Sequence, residues 1–159
     1  MKINKPSIFI GHCFYGEKRV EKYRTTLGKI FTKRKYDIKF GTKESFQDDA
    51  DFFKEIKKLI KKSRYCIFDL AGYNRKKLRL NLNVLLEAGV GIGASTKVYI
   101  LSPKKGECGR LIKQITDLSG RYMRSYNKNN SKSFRREIIE IKKRVDEHWK
   151  ARKFKEHRK

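Results

Sequence analysis

Acidic residues are scarce in this 159-residue chain, where 17 Asp and Glu stand against 42 Lys and Arg for a formal charge of +25. Such an excess draws anions to the surface, so the expected partner carries phosphate; the plainer reading is a Lys-rich surface that keeps the fold soluble. Cysteine is also sparse. Cys13, Cys66 and Cys108 are odd in number and widely spaced, which excludes a disulfide framework and metal-type pairs and fits a reducing cytosol. No run approaches the roughly 18 apolar residues that a membrane span needs. The expectation is a cytoplasmic protein with no membrane partner. Its length and 38% hydrophobic content suit one compact domain over residues 1–149, followed by a basic tail over 150–159.

What is present is an alternation of short apolar runs with helical spacing. Ser7-Ile8-Phe9-Ile10 reads as a strand ending at Gly11, followed by a helix carrying Val20, Tyr23, Leu27, Ile30 and Phe31. Tyr36 to Phe40 alternates as a second strand, and Phe52, Phe53, Ile56, Leu59 and Ile60 mark a second helix. Tyr65 to Leu70 is apolar on both faces, as a central parallel strand should be. Asn83 is placed to cap a helix through Val84, Leu85, Ala88 and Val90. Lys97 to Leu101 gives a fourth strand, a short helix is expected around Leu111, Ile112 and Ile115, and Tyr122 to Tyr126 gives a fifth strand. A last helix starts at Ser131 or Ser133 and aligns Phe134, Ile138, Ile141, Val145 and Trp149. This order predicts an α/β three-layer, flavodoxin-like fold with a mainly parallel five-stranded sheet flanked by helices. Its ligand crevice would open between the first and third strands, beyond their carboxyl ends.

Glu87 is the candidate catalytic group. It lies among Leu86, Ala88 and Gly89 in an apolar helix, and an ionised carboxylate that loses hydration there needs a partner or a task. It can stabilise the cationic sugar of a breaking N-glycosidic bond or attack its anomeric carbon. After the first strand, Gly11-His12-Cys13-Phe14-Tyr15-Gly16 offers glycines for close approach and Phe14 and Tyr15 for ring stacking. His12 fits either a general acid or a hydrogen-bonded structural residue. Cys13 has no base partner in view, which argues against a thiol nucleophile. Between Ala71 and Leu82 a loop carries Arg75, Lys76, Lys77 and Arg79 and no acid. It fits a phosphate clamp or a solvated loop, with Tyr73 and Asn74 near its start able to meet a base. Gly89, Gly91 and Gly93 read as sites of close helix packing. From Lys128 onward, 13 Lys or Arg face 5 Asp or Glu, a nucleic-acid arm or a solvated helix face ending in a frayed tail.

The segment Asp69-Leu70, Asn83-Val84-x-x-Glu87-x-Gly89 and Lys97-Val98-Tyr99-Ile100-Leu101 resembles the signature shared by TIR (Toll/interleukin-1 receptor) nucleotide-binding domains and nucleoside 2-deoxyribosyltransferases. Ile8-Phe9-Ile10-Gly11-His12 is similar to their first strand and loop, and the order of elements agrees over roughly the first 126 residues. The Ala71–Leu82 loop is longer than the family's. The resemblance implies a flavodoxin-like sheet, Glu87 as nucleophile or oxocarbenium stabiliser, and Asp69 and Asn83 as groups that hold the sugar or the site. Its TIR branch further implies NAD as a substrate and no cofactor, with self-association and a role in anti-phage defence. The leading expectation is therefore NAD hydrolysis or cyclisation. The alternatives are 2-deoxyribosyl transfer between bases and a non-catalytic sensor that binds nucleotides or nucleic acid through its basic surface.

Overall fold

The computed structural model describes residues 5–13, 17–41, 49–74, 77–106, 109–110 and 122–156, with backbone alone at 17–19, 49–51, 73–74, 77–79, 122 and 156. In chain order the elements are β1 (Ser7–Gly11), α1 (Glu17–Ile30), β2 (Asp37–Phe40), α2 (Asp49–Lys62), β3 (Tyr65–Asp69), β4 (Ala71–Asn74), β5 (Lys77–Leu80), α3 (Leu82–Gly93), β6 (Lys97–Pro103), β7 (Tyr122–Tyr126) and α4 (Ser131–Glu156). The main sheet has the order β2-β1-β3-β6-β7, and every pairing in it is parallel. This is the flavodoxin-like order expected from the alternating pattern. The winding reverses between β1 and β3, which pair from Ile8 with Tyr65 to Gly11 with Phe68.

Side chains on a strand point alternately to the two faces, and that period divides the core in two. Ile8, Ile10, Tyr65, Ile67, Tyr99 and Leu101 pack with Leu27 of α1 and Ile138, Ile141 and Val145 of α4. Phe9, Cys66, Phe68, Val98 and Ile100 point the other way, against Ile56 and Ile60 of α2 and Val84 and Ala88 of α3. Each fully buried side chain of this size contributes roughly 1.5–3 kcal/mol. With both faces covered, β3 is buried along its whole length, so the polar group at its end, Asp69, is held in place by the core behind it.

Three local expectations need correction. The segment after β3 is not an open loop but an antiparallel hairpin, with Ala71 opposite Leu80 and Asn74 opposite Lys77. Tyr73 favours a strand, and Leu78 and Leu80 alternate with Lys77 and Arg79, a two-residue period too short to stand out among the cations. The cap of α3 is Asn81 and not Asn83: the Asn81 side chain accepts a hydrogen bond from the Val84 N–H, while Asn83 is exposed inside the helix. Finally, α4 continues to Glu156, so residues 150–156 of the expected tail are helical. The helix expected around Leu111 lies outside the described residues.

Candidate active site

Two carboxyl groups sit at the carboxyl end of the sheet, both buried: Asp69 and Glu87 are each 5% exposed. Phe68 and Asp69 are neighbours on β3 and so face opposite sides of the sheet. Phe68 lies in the core beneath α2 and α3, whereas Asp69 faces α1 and α4.

Asp69 is enclosed by donors. Its Oδ1 accepts from the Ala71 N–H at 3.1 Å, and the Tyr126 hydroxyl donates to the carboxyl group, 3.0 Å from Oδ1 and 3.1 Å from Oδ2. Burial pushes its pKa up to about 7, while hydrogen bonds from Ala71, Tyr126 and Tyr23 act in the opposite direction. Asp69 lies on the wall of a cavity of about 390 Å³, with His12, Cys13, Tyr23, Tyr126 and Phe134 among its other lining residues. That size and the mixture of aromatic and polar walls suit a small organic ligand. The exposed Lys22 and Lys128 also line it.

Glu87 occupies the other face. Its Oε2 lies 2.7 Å from the point where a Cβ on Gly11 would stand, and the Phe68 ring lies equally close to that point. Gly11 therefore lacks a side chain because Glu87 and Phe68 fill the space, a packing reason in place of the expected approach of a ligand. Among the described residues no hydrogen bond or ion pair reaches the Glu87 carboxylate, and burial alone pushes its pKa up to about 7. Contrary to expectation, Glu87 is not on the wall of the cavity that holds Asp69. The end of β1 separates them, with Gly11 against Glu87 and His12 beside the cavity.

His12 is buried at the junction. Its Nδ1 lies 2.8 Å from the Cys13 carbonyl oxygen, which can only accept, so Nδ1 carries the proton. Its ring packs on Tyr23 and Phe40. Burial lowers its pKa to about 4, with Arg24 adding to the effect. The ring is thus neutral at pH 7, which favours the structural reading over an imidazolium acid.

The structure brings Gly11 to Glu87 and His12 to Asp69, as two separate pairs. Phe14, Tyr15, Arg75 and Lys76 lie outside the described residues. Asn74, Lys77 and Arg79 belong to the β4–β5 hairpin, with their side chains outside the description. Sequence reasoning missed Tyr23, Tyr126 and Phe134 as cavity residues. Tyr23 and Phe134 follow helical spacing and read as core, and nothing local ties Tyr126 to a carboxylate 57 positions earlier.

No protein-family model matches the chain, and no curated protein matches it. Solved structures do share its fold. It is similar to a 2-desoxiribosyltransferase from Leishmania mexicana (TM-score 0.53, 14% identity), covering 61% of this chain and 64% of that one. A CMP N-glycosidase from Clostridium botulinum aligns with TM-score 0.56 and 12% identity over 83% of this chain and 97% of its own. A conserved protein from Enterococcus faecalis aligns with TM-score 0.50 and 12% identity, covering 87% and 88% of the two chains. The chain thus spans just under two thirds of the deoxyribosyltransferase and nearly all of the glycosidase, and what it shares with both is the α/β fold.

Proposed function

We propose that this protein breaks or exchanges the N-glycosidic bond of a nucleoside or nucleotide. The observation that carries the reading is Glu87, a carboxylate buried against Gly11 with no neutralising partner among the described residues, in a fold shared with a deoxyribosyltransferase and a CMP N-glycosidase. Desolvation makes such an anion reactive, and a cationic sugar is the kind of species that would stabilise it.

In the proposed reaction the ionised Glu87 attacks the anomeric carbon as the carbon–nitrogen bond to the base breaks. The bonding pair leaves with the base, which takes a proton from solvent. Water, or a second base, then attacks the anomeric carbon. The sugar–Glu87 bond breaks, the carboxylate is regenerated, and the attacking group gives its proton up to solvent.

Base exchange or hydrolysis on a nucleoside or nucleoside monophosphate is favoured over NAD cleavage, because the named enzymes sharing the fold act by deoxyribosyl transfer and on CMP. The test is incubation of the protein with a deoxynucleoside plus a free base, with CMP, and with NAD, followed by chromatography of the products. Release or exchange of a base that disappears in Glu87→Gln is expected with one of the first two. Equal turnover by that variant removes Glu87 from the reaction, and cleavage of NAD alone returns the assignment to the TIR reading.

A further inference from the structure

Four neighbouring strands of the main sheet, in the spatial order β2-β1-β3-β6, each have a cation at the amino end. Lys35 and Lys5 stand two residues before Asp37 and Ser7, Arg64 directly precedes Tyr65, and Lys97 is the first residue of β6. The register sets these positions level. The Asp37 N–H donates to the Pro6 carbonyl, the Arg64 N–H to that of Ser7, and the Lys97 N–H to that of Arg64. Strands lie about 4.8 Å apart, so cations that are distant in the sequence become one row. Lys33 and Arg34 before β2, and Lys61 and Lys62 at the end of α2, are exposed and widen it. The acids nearby do little to cancel this charge: Asp37 is paired with Lys39 at 3.4 Å and Asp146 with Lys142 at 2.6 Å, which leaves Glu147 as an exposed carboxylate.

Helix α4 extends the same edge. The Tyr65 hydroxyl and His148 Nδ1 are 2.9 Å apart, and the Arg64 guanidinium lies over the Trp149 ring, 5.7 Å from its centre. The helix therefore reaches the amino end of β3 at residues 148–149, and at 1.5 Å per residue its remainder to Glu156 runs on for about 10 Å. Residues 150–155 are all exposed, so this overhang returns nothing to the core. It carries Lys150, Arg152, Lys153 and Lys155, with like charges at i, i+3 that weaken a helix standing alone. Lys153 also lies over the Trp149 ring, at 5.8 Å, and Phe154 beside it is 71% exposed.

We propose that this amino edge binds single-stranded nucleic acid, with phosphates along the row of cations and a base against Phe154. Every base offers a ring face, so an aromatic set among cations holds a strand without reading its sequence. Other partners fit less well. A protein interface has a charge-poor apolar centre, which a row of lysines lacks. A helix lying on a membrane needs an apolar stripe, whereas Phe154 is the one large apolar side chain among residues 150–155. The edge lies at the opposite end of the sheet from Asp69 and Glu87, so a bound strand leaves the candidate active site open. Neither proposal depends on the other.

The test is fluorescence anisotropy of a labelled single-stranded oligonucleotide of mixed sequence, titrated with the full chain at several salt concentrations after nuclease and high-salt treatment of the protein. Binding should weaken steeply as salt rises. Lys5→Gln/Lys35→Gln/Lys97→Gln/Lys155→Gln should bind roughly ten-fold more weakly and lose about 3 from the slope of log K against log salt, at about 0.7 per phosphate contact. Lys104→Gln/Lys105→Gln/Lys132→Gln/Arg135→Gln removes the same charge from the carboxyl end of the sheet and should keep the slope. All of these positions are exposed, so neither variant should change the circular dichroism spectrum. Phe154→Ala, with every charge intact, should lose several-fold in affinity. Equal losses in the two charge variants overturn the proposal, as does a Phe154→Ala variant that binds as well as wild type. So does an absence of binding at low salt, or a chain that floats with anionic vesicles and ignores the oligonucleotide.

Discussion

The carboxylate of Glu87 rests against the α-carbon of Gly11, with Oε2 2.7 Å from the place a methyl group would take. One residue on β1 thus decides whether a residue on α3, 76 positions away in the sequence, can reach the carboxyl end of the sheet. Gly11→Ala is expected to displace Glu87 or the Phe68 ring, at a cost of roughly 1–3 kcal/mol as with other overpacked cores. Denaturant unfolding measures that loss. The assay for base release should show activity falling further than the unfolded fraction explains.

Burial raises the pKa of Glu87 from 4.5, and that of Asp69 from 3.8, to about 7. Between about pH 4 and pH 7 the folded state therefore binds more protons than the unfolded chain, and stability declines as pH rises through that window. Glu87→Gln removes its share of the decline. At pH 8 the variant should be more stable than the wild type by on the order of 3 kcal/mol, while losing activity. Thermal melts at pH 4.5 and pH 8 check the sign: a variant no more stable than wild type at pH 8 contradicts the cost assigned to the buried anion.

The same shift of Glu87 sets the expected pH dependence of catalysis. The reaction needs Glu87 ionised, so activity should rise as pH passes through about 7. Tyr126→Phe deletes the hydroxyl that donates to Asp69, which raises the Asp69 pKa further. The lost hydrogen bond should destabilise the fold by about 1 kcal/mol. Denaturant unfolding measures that loss, and the pH–rate profile should keep its midpoint in the variant, because Asp69 lies across the end of β1 from Glu87.

Ser95, just beyond the Ala94 cap of α3, has φ 56°, in the left-handed region that disfavours a side chain. Ser95→Gly should raise stability by about 1 kcal/mol, read as a higher denaturation midpoint with activity unchanged.

The sequence alone determined the order of the five strands of the main sheet and of the four helices α1 to α4, together with the two-faced burial of β3 and the parallel sheet, because a period of two or 3.6 is a local property that neighbouring residues carry. It also singled out Glu87, since a carboxylate in an apolar helix is a conflict visible without coordinates. Between two asparagines two positions apart, either able to cap α3, only the backbone geometry chose Asn81. The hairpin after β3 escaped notice because cations dilute the alternation in its short strands. Tertiary structure alone placed the Tyr126 hydroxyl on Asp69, set Gly11 against Glu87 and put the two carboxyl groups on opposite sides of the end of β1. Those relationships arise from strands and helices that meet across tens of residues, where local periodicity fixes which way a side chain points but not what it finds there.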